Sequence, residues 1–119
     1  MSTTIHIVIL VGVCGTGKSA IGHKIAQKLE INWWKRYLGS KSPEEYLVWK
    51  KGYWTDFLAK MNIKVPQNST VLDAGCGPAG IFISFPKNEL TALDPLLDQY
   101  SELPHFQKEN YPNINFYTS

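Results

Sequence analysis

The chain has 119 residues, of which 44% are hydrophobic, 18% charged and 13% aromatic. That leaves room for one domain with a buried core and excludes a wholly disordered chain. Twelve basic against ten acidic residues give a formal charge of +2, too balanced to mark a nucleic-acid binder. The charge is unevenly spread, however: residues 1–64 hold ten Lys/Arg against four Asp/Glu, and residues 65–119 hold two against six.

Ile5 to Val11 is an apolar, mostly β-branched run stopped by glycine, which predicts a buried strand of the parallel type. No basic region precedes the apolar run and it is too short to span a bilayer, so neither a signal peptide nor a membrane anchor is expected. Cys14 and Cys76 both lie in glycine-rich turns rather than at disulfide-like spacing, which fits a reducing, cytoplasmic location. His6, His23 and His105 are scattered, without Cys or carboxylate partners at ligand spacing, and are read as solvated or packing residues.

After a tight turn over Gly12–Gly17, the apolar positions Ile21, Ile25 and Leu29 recur every fourth residue, predicting an amphipathic helix from Lys18 to about Glu30. Residues 31–41 have no clear period and read as a seam between two segments. Ser42-Pro43-Glu44-Glu45 opens a second helix: Ser42 can cap it, Pro43 suits its first position and Glu45 can close a capping box. Leu47, Trp54, Phe57, Leu58 and Met61 form its expected apolar stripe, and Gly52 weakens without ending it. Short strands follow at Val71–Asp73, Leu90–Leu93 and Ile114–Tyr117, with a short helix from Ile81 cut off by Pro86 and another starting near Pro95. Alternation of strands and helices predicts a small three-layer α/β domain: a mainly parallel, Rossmann-like or P-loop-like sheet of about four strands with flanking helices.

Two turns carry chemistry. Gly12-Val-Cys-Gly15-Thr16-Gly17-Lys18-Ser19 fits G-x-x-x-x-G-K-[ST] at every fixed position, between a strand and a helix. Glycines there allow successive N–H groups to converge on phosphate oxygens; Lys18 would meet the outer phosphates and Ser19 would offer its hydroxyl to Mg²⁺. The segment over about residues 4–29 resembles the N-terminus of gluconokinase-type small-molecule kinases, with Cys14 and Thr16 where serines are usual. The resemblance implies ATP and Mg²⁺ binding at Gly12, Gly15, Thr16, Gly17, Lys18 and Ser19, while the family's acceptor segment and lid have no counterpart after Leu29.

The second turn, Val71-Leu-Asp73-Ala-Gly75-Cys-Gly77-Pro-Ala-Gly80, reads D-x-G-x-G-x-x-G directly after a strand. Asp94 ends the next strand 21 residues beyond Asp73, the place from which an acid reaches ribose hydroxyls in a Rossmann-like sheet. Residues 32–119 resemble the N-terminal part of class I S-adenosylmethionine-dependent methyltransferases. The resemblance implies cofactor binding by Gly75, Gly77 and Asp94, with Asp73 orienting the loop or the methionine amine, and residues 31–64 as a helical cap over it. It also implies about seven strands, of which three fall in this chain, and no Asn/Asp-Pro-Pro-Tyr/Phe motif for amino-group methylation is present. Asp73 and Asp94 each close an apolar run, and so also resemble the aspartate that holds Mg²⁺ near a phosphate loop.

Aromatic and basic residues interleave over Trp33–Tyr37 and Lys50–Trp54; a stacking surface for nucleic acid is one reading, and a cap whose rings pack and whose lysines are solvated is the stronger, so no clear nucleic-acid partner is expected. Apolar surface left uncovered there would favour self-association. The sequence thus reads as residues 1–30, a phosphate-loop unit, joined to residues 31–119, a methyltransferase-like segment. Three functions stay open: an S-adenosylmethionine-binding fragment that binds more readily than it turns over, an ATP-binding phosphate-loop protein, or a folded chimera without activity.

Overall fold

The computed structural model describes residues 6–10 and 20–118, with side chains from Lys24 onward. Four strands, β1 (His6–Leu10), β2 (Thr70–Ala74), β3 (Glu89–Leu93) and β4 (Ile114–Tyr117), form one sheet in the order β1-β2-β3-β4. Every neighbouring pair is parallel, with Ile9 opposite Asp73, Asp73 opposite Ala92 and Ala92 opposite Phe116. The expected small three-layer α/β fold is therefore present, and all four strands end at one carboxyl edge. In such sheets ligands sit outside that edge.

Two long helices, α1 (Ala20–Leu38) and α2 (Pro43–Lys60), connect β1 to β2. The stretch without a clear period, read as a seam, is helical as far as Leu38, and α1 crosses it without a break. The buried face of α1 also differs from the one its sequence pattern predicts. Ile25 and Leu29 are exposed, at 56% and 65%, whereas Ile31 and Leu38 are buried, with Trp34 packed against the core between them. Positions 31, 34 and 38 share a helix face just as 25, 29 and 33 do, and it is the former that is covered, Trp34 lying against Gly77 and Tyr100.

Helix α2 begins where the sequence indicates, with Ser42 at the N-cap and Pro43 first in the helix, and it runs through Gly52. The capping box does not form: Ser42 makes no side-chain capping bond, and its carbonyl accepts the Tyr46 N–H at 2.9 Å. The apolar stripe is partly right. Trp54 is buried and Leu47, Phe57 and Leu58 pack against the core, but Met61 is exposed at the C-cap, and Tyr46, outside the expected stripe, is buried.

Beyond β2 the helix cut short by Pro86 is a single 3-10 turn, Ile81–Ser84, whose Ile81, Phe82 and Ile83 are buried. The segment after Pro95 gives one helical turn, α3 (Leu97–Tyr100). Between these elements Phe82 meets Phe106, Tyr111 and Phe116 edge to face, with centroids 5.3–6.1 Å apart. Such pairs add to the area they bury. No described helix is long and apolar enough to cross a membrane.

Candidate functional site

The carboxyl ends of β2 and β3 bring together three of the residues singled out around the second turn. Gly75 and Gly77 have φ of 67° and 66°, the left-handed region that side chains avoid. Two such residues close together reverse the chain sharply, and the turn folds back onto the end of β3: Gly75 and Cys76 both donate their N–H to the Leu93 carbonyl, at 2.7 and 3.0 Å. Asp94, the residue after β3, then holds the turn from the other side. Its Oδ2 accepts the Gly77 N–H at 2.9 Å and its Oδ1 accepts the Leu96 N–H at 2.9 Å. The strand, the glycines and the acid are thus one hydrogen-bonded unit.

Asp73 lies beneath that unit, fully buried. Its Oδ2 accepts the Phe82 N–H at 3.1 Å, and its Oδ1 has no partner. Burial pushes the carboxyl up from 3.8 to about 7, against the pull of the Phe82 and Ile81 N–H groups, with the Asp94 charge adding to the rise. Gly80 is where the chain passes closest. A Cβ there would stand 2.5 Å from Asp73 Oδ2 and 2.4 Å from the Cys76 carbonyl, so only glycine fits. Cys76 is a buried free thiol whose ionisation burial suppresses, followed by the Asp73 and Asp94 charges.

Three neighbours of this unit escape a reading of the sequence. Glu30 of α1 accepts the Tyr100 hydroxyl at 3.2 Å, and its carboxyl is raised first by burial and then by Asp94. Trp34, one turn on, offsets part of that rise, and its ring lies against Gly77, 3.7 Å from where a Cβ would be. Burial raises Asp94 as well, against the Leu96 and Gly77 bonds. The spacing Glu30–Trp34 puts both on one face of α1, the one signal the sequence offers. A ring of acids, Asp73, Asp94 and Glu30, therefore faces the turn, and neither ion pair among the described residues, Lys35–Glu102 and Lys108–Asp98, involves it.

The residues Gly12, Gly15, Thr16, Gly17, Lys18 and Ser19, predicted to bind nucleotide phosphates and Mg²⁺, lie outside the described residues. What is described is β1 before them, paired so that Leu10 stands beside Ala74. Among the described residues no group of three His, Cys, Asp or Glu could hold a metal ion. His105 is a packing residue, buried, with Nε2 against the Lys41 carbonyl at 2.8 Å. Two clefts, of about 400 Å³ beside Lys35, Lys41 and His105 and about 510 Å³ beside Leu58, Ile63 and Phe85, lie away from the glycine turn.

Comparison with protein-family models, curated proteins and solved structures finds no match to this chain. The functional reading therefore rests on the site.

Proposed function

We propose that the carboxyl edge of β2 and β3 binds a small nucleoside cofactor of the S-adenosylmethionine type, and that binding rather than complete turnover is the property of this chain. The observation that carries the reading is the Gly75–Gly77 turn held by the Asp94 carboxylate at the end of the neighbouring parallel strand. Its donors and acceptors suit such a molecule. Asp94 retains lone pairs for ribose hydroxyls, and Asp73 has a buried oxygen without a partner. Asp94 and Glu30, with no ion-pair partner among the described residues, favour a ligand bearing sulfonium and ammonium charge. Bound there, the cofactor would supply an electrophilic methyl group, while Asp94, Gly75 and Gly77 would hold and orient it.

A second reading has its own support. Parallel pairing of β1 with β2 brings the strand that precedes Gly12–Ser19 to the same sheet edge, as a phosphate-loop strand requires. On that reading the chain binds ATP, Lys18 meets its phosphates and Ser19 meets Mg²⁺, with Asp73 or Asp94 the nearest candidate to assist. The two resemblances meet inside one continuous helix, so a joined origin near Leu29–Trp33 needs no linker. The exposed stripe of Ile25, Leu29 and Trp33 supports self-association, and the buried free thiol of Cys76 suits a reducing cytoplasm.

One calorimetric series separates these readings. Heat on adding S-adenosylmethionine, lost in Asp94→Ala that is shown to be folded by its circular dichroism, supports the first. Heat on adding ATP, strengthened by Mg²⁺ and lost in Lys18→Ala, supports the second. Flat traces for every ligand leave a folded chimera without binding activity and overturn both.

A further inference from the structure

The α1–α2 pair carries a feature that cofactor binding does not use, anchored in the core at Tyr46 and reaching the surface at Trp33, Trp49 and Tyr53. On α2 the positions 46, 49, 50 and 53 share one helix face. Tyr46, Trp49 and Tyr53 follow one another there with ring centroids 5.9 Å apart at each step. Tyr46 also meets Tyr37 of α1 at 6.1 Å, and Tyr37 stacks on Trp33 at 4.7 Å with the planes 12° apart. The result is a continuous strip of five rings across the helix pair. Its outer members are not core residues: Trp33, Trp49 and Tyr53 are 54%, 55% and 45% exposed.

Cations are built into the strip. The Lys50 ammonium lies 4.4 Å from the Tyr53 centroid, and that of Lys41 lies 4.3 Å from the Tyr37 centroid. Neither makes an ion pair among the described residues, nor do Arg36 and Lys51 beside them. The two helices together hold eight Lys/Arg counting Lys41 in their connection, against four Asp/Glu. Of those acids Glu45 and Asp56 bracket the α2 part of the strip along the helix, leaving positions 46–53 without a carboxylate. Unpaired positive charge calls for an anionic partner, and exposed flat rings call for one with flat faces of its own. An acidic peptide meets only the first demand.

We propose that this strip binds single-stranded nucleic acid, bases stacking on Trp33, Trp49 and Tyr53 while Lys41 and Lys50 face the phosphates. Stacking on aromatic rings is tolerant of base identity, so no sequence preference is required. The inference is independent of the cofactor site and survives its failure.

The test is fluorescence anisotropy of a labelled oligothymidylate of about 16 nucleotides, the upper end of one site, titrated with the full chain at low salt. Binding is expected, and the double variant Trp49→Ala/Tyr53→Ala should weaken it roughly tenfold or more while leaving the circular dichroism unchanged. Lys41→Gln/Lys50→Gln should weaken it too and flatten the salt dependence by about 0.7 in log–log slope per charge removed. A matched duplex should compete poorly. Absence of binding, binding that ignores the two ring substitutions, or equal affinity for duplex would each overturn the proposal. So would sedimentation showing that the same ring substitutions abolish self-association while oligonucleotide affinity stays unchanged.

Discussion

The Asp94 carboxylate accepts the backbone N–H of Gly77 at 2.9 Å, and its other oxygen accepts that of Leu96 at the same distance. One side chain thereby ties the glycine turn after β2 to the chain leaving β3. Asp94→Ala leaves both N–H groups without that partner, and each lost bond costs about 1–3 kcal/mol when the donor stays buried. A loss of about 2–4 kcal/mol is expected in urea denaturation. Asp94→Asn keeps one acceptor oxygen and sets an amide donor against the second N–H, so its midpoint should fall between those of the alanine variant and the parent chain.

Asp73 sets the pH dependence. Burial raises its carboxyl from 3.8 to about 7, so the folded state holds the proton over a range where the unfolded chain has released it. The sign follows: this group's contribution is fully present below the unfolded value near 4 and is lost as pH rises through about 7. Asp94 and Glu30 are shifted in the same direction, by burial in both cases. Stability should therefore fall between about pH 4.5 and 7.5, by on the order of 3 kcal/mol from Asp73 alone. Asp73→Asn, which can still accept the Phe82 N–H, should flatten that slope when unfolding is measured at both pH values. A chain whose stability rises over this interval would contradict the assignment.

The turn also discriminates between its glycines. Gly77 has left-handed φ but open space: a Cβ added there would lie 3.7 Å from its nearest neighbour, the Trp34 ring. Gly77→Ala should thus cost only the strain of that backbone region, about 1–2 kcal/mol. Gly80 has an ordinary φ of −74° yet no room, since an added Cβ would meet backbone and Asp73 oxygens at 2.4 and 2.5 Å. Backbone cannot step aside as a flexible side chain can. Gly80→Ala should be the more damaging of the two in thermal melts, although a dihedral argument alone would rank them the other way.

Much of this site is legible in the sequence, and the reasons are local. Apolar runs ended by glycine or aspartate locate β1, β2 and β3, and the run Ile114–Tyr117 locates β4, within a residue or so, because strand propensity and turn chemistry act over a few residues. Asp73, Gly75, Gly77 and Asp94 come together for the same reason, their spacing being set by one strand–turn–strand unit. The phase of α1 is not legible. Ile25 and Leu29 repeat at helical spacing as well as Ile31, Trp34 and Leu38 do, and only tertiary packing decides which face is covered. The approach of Glu30 to Asp94 follows from that choice, so no local pattern could supply it. Ser42 fails as a side-chain cap although its position is right, since the residue type permits that bond without requiring it.

Trp54 connects α2 to the turn and gives the last test. Its Nε1–H donates to the Ala79 carbonyl at 3.1 Å, in the middle of the segment that closes over Asp73, and the ring is 5% exposed. Replacement by Phe keeps an aromatic in place but removes the donor, leaving a buried carbonyl without this bond and a gap where the larger ring stood. Together these should cost about 2–3 kcal/mol. Trp49, five residues earlier on the same helix, is 55% exposed, and Trp49→Phe should stay within about 0.5 kcal/mol of the parent. Equal midpoints for the two variants in urea denaturation would mean that α2 does not brace the glycine turn. A selective loss in Trp54→Phe would show that α2 braces the glycine turn through this bond.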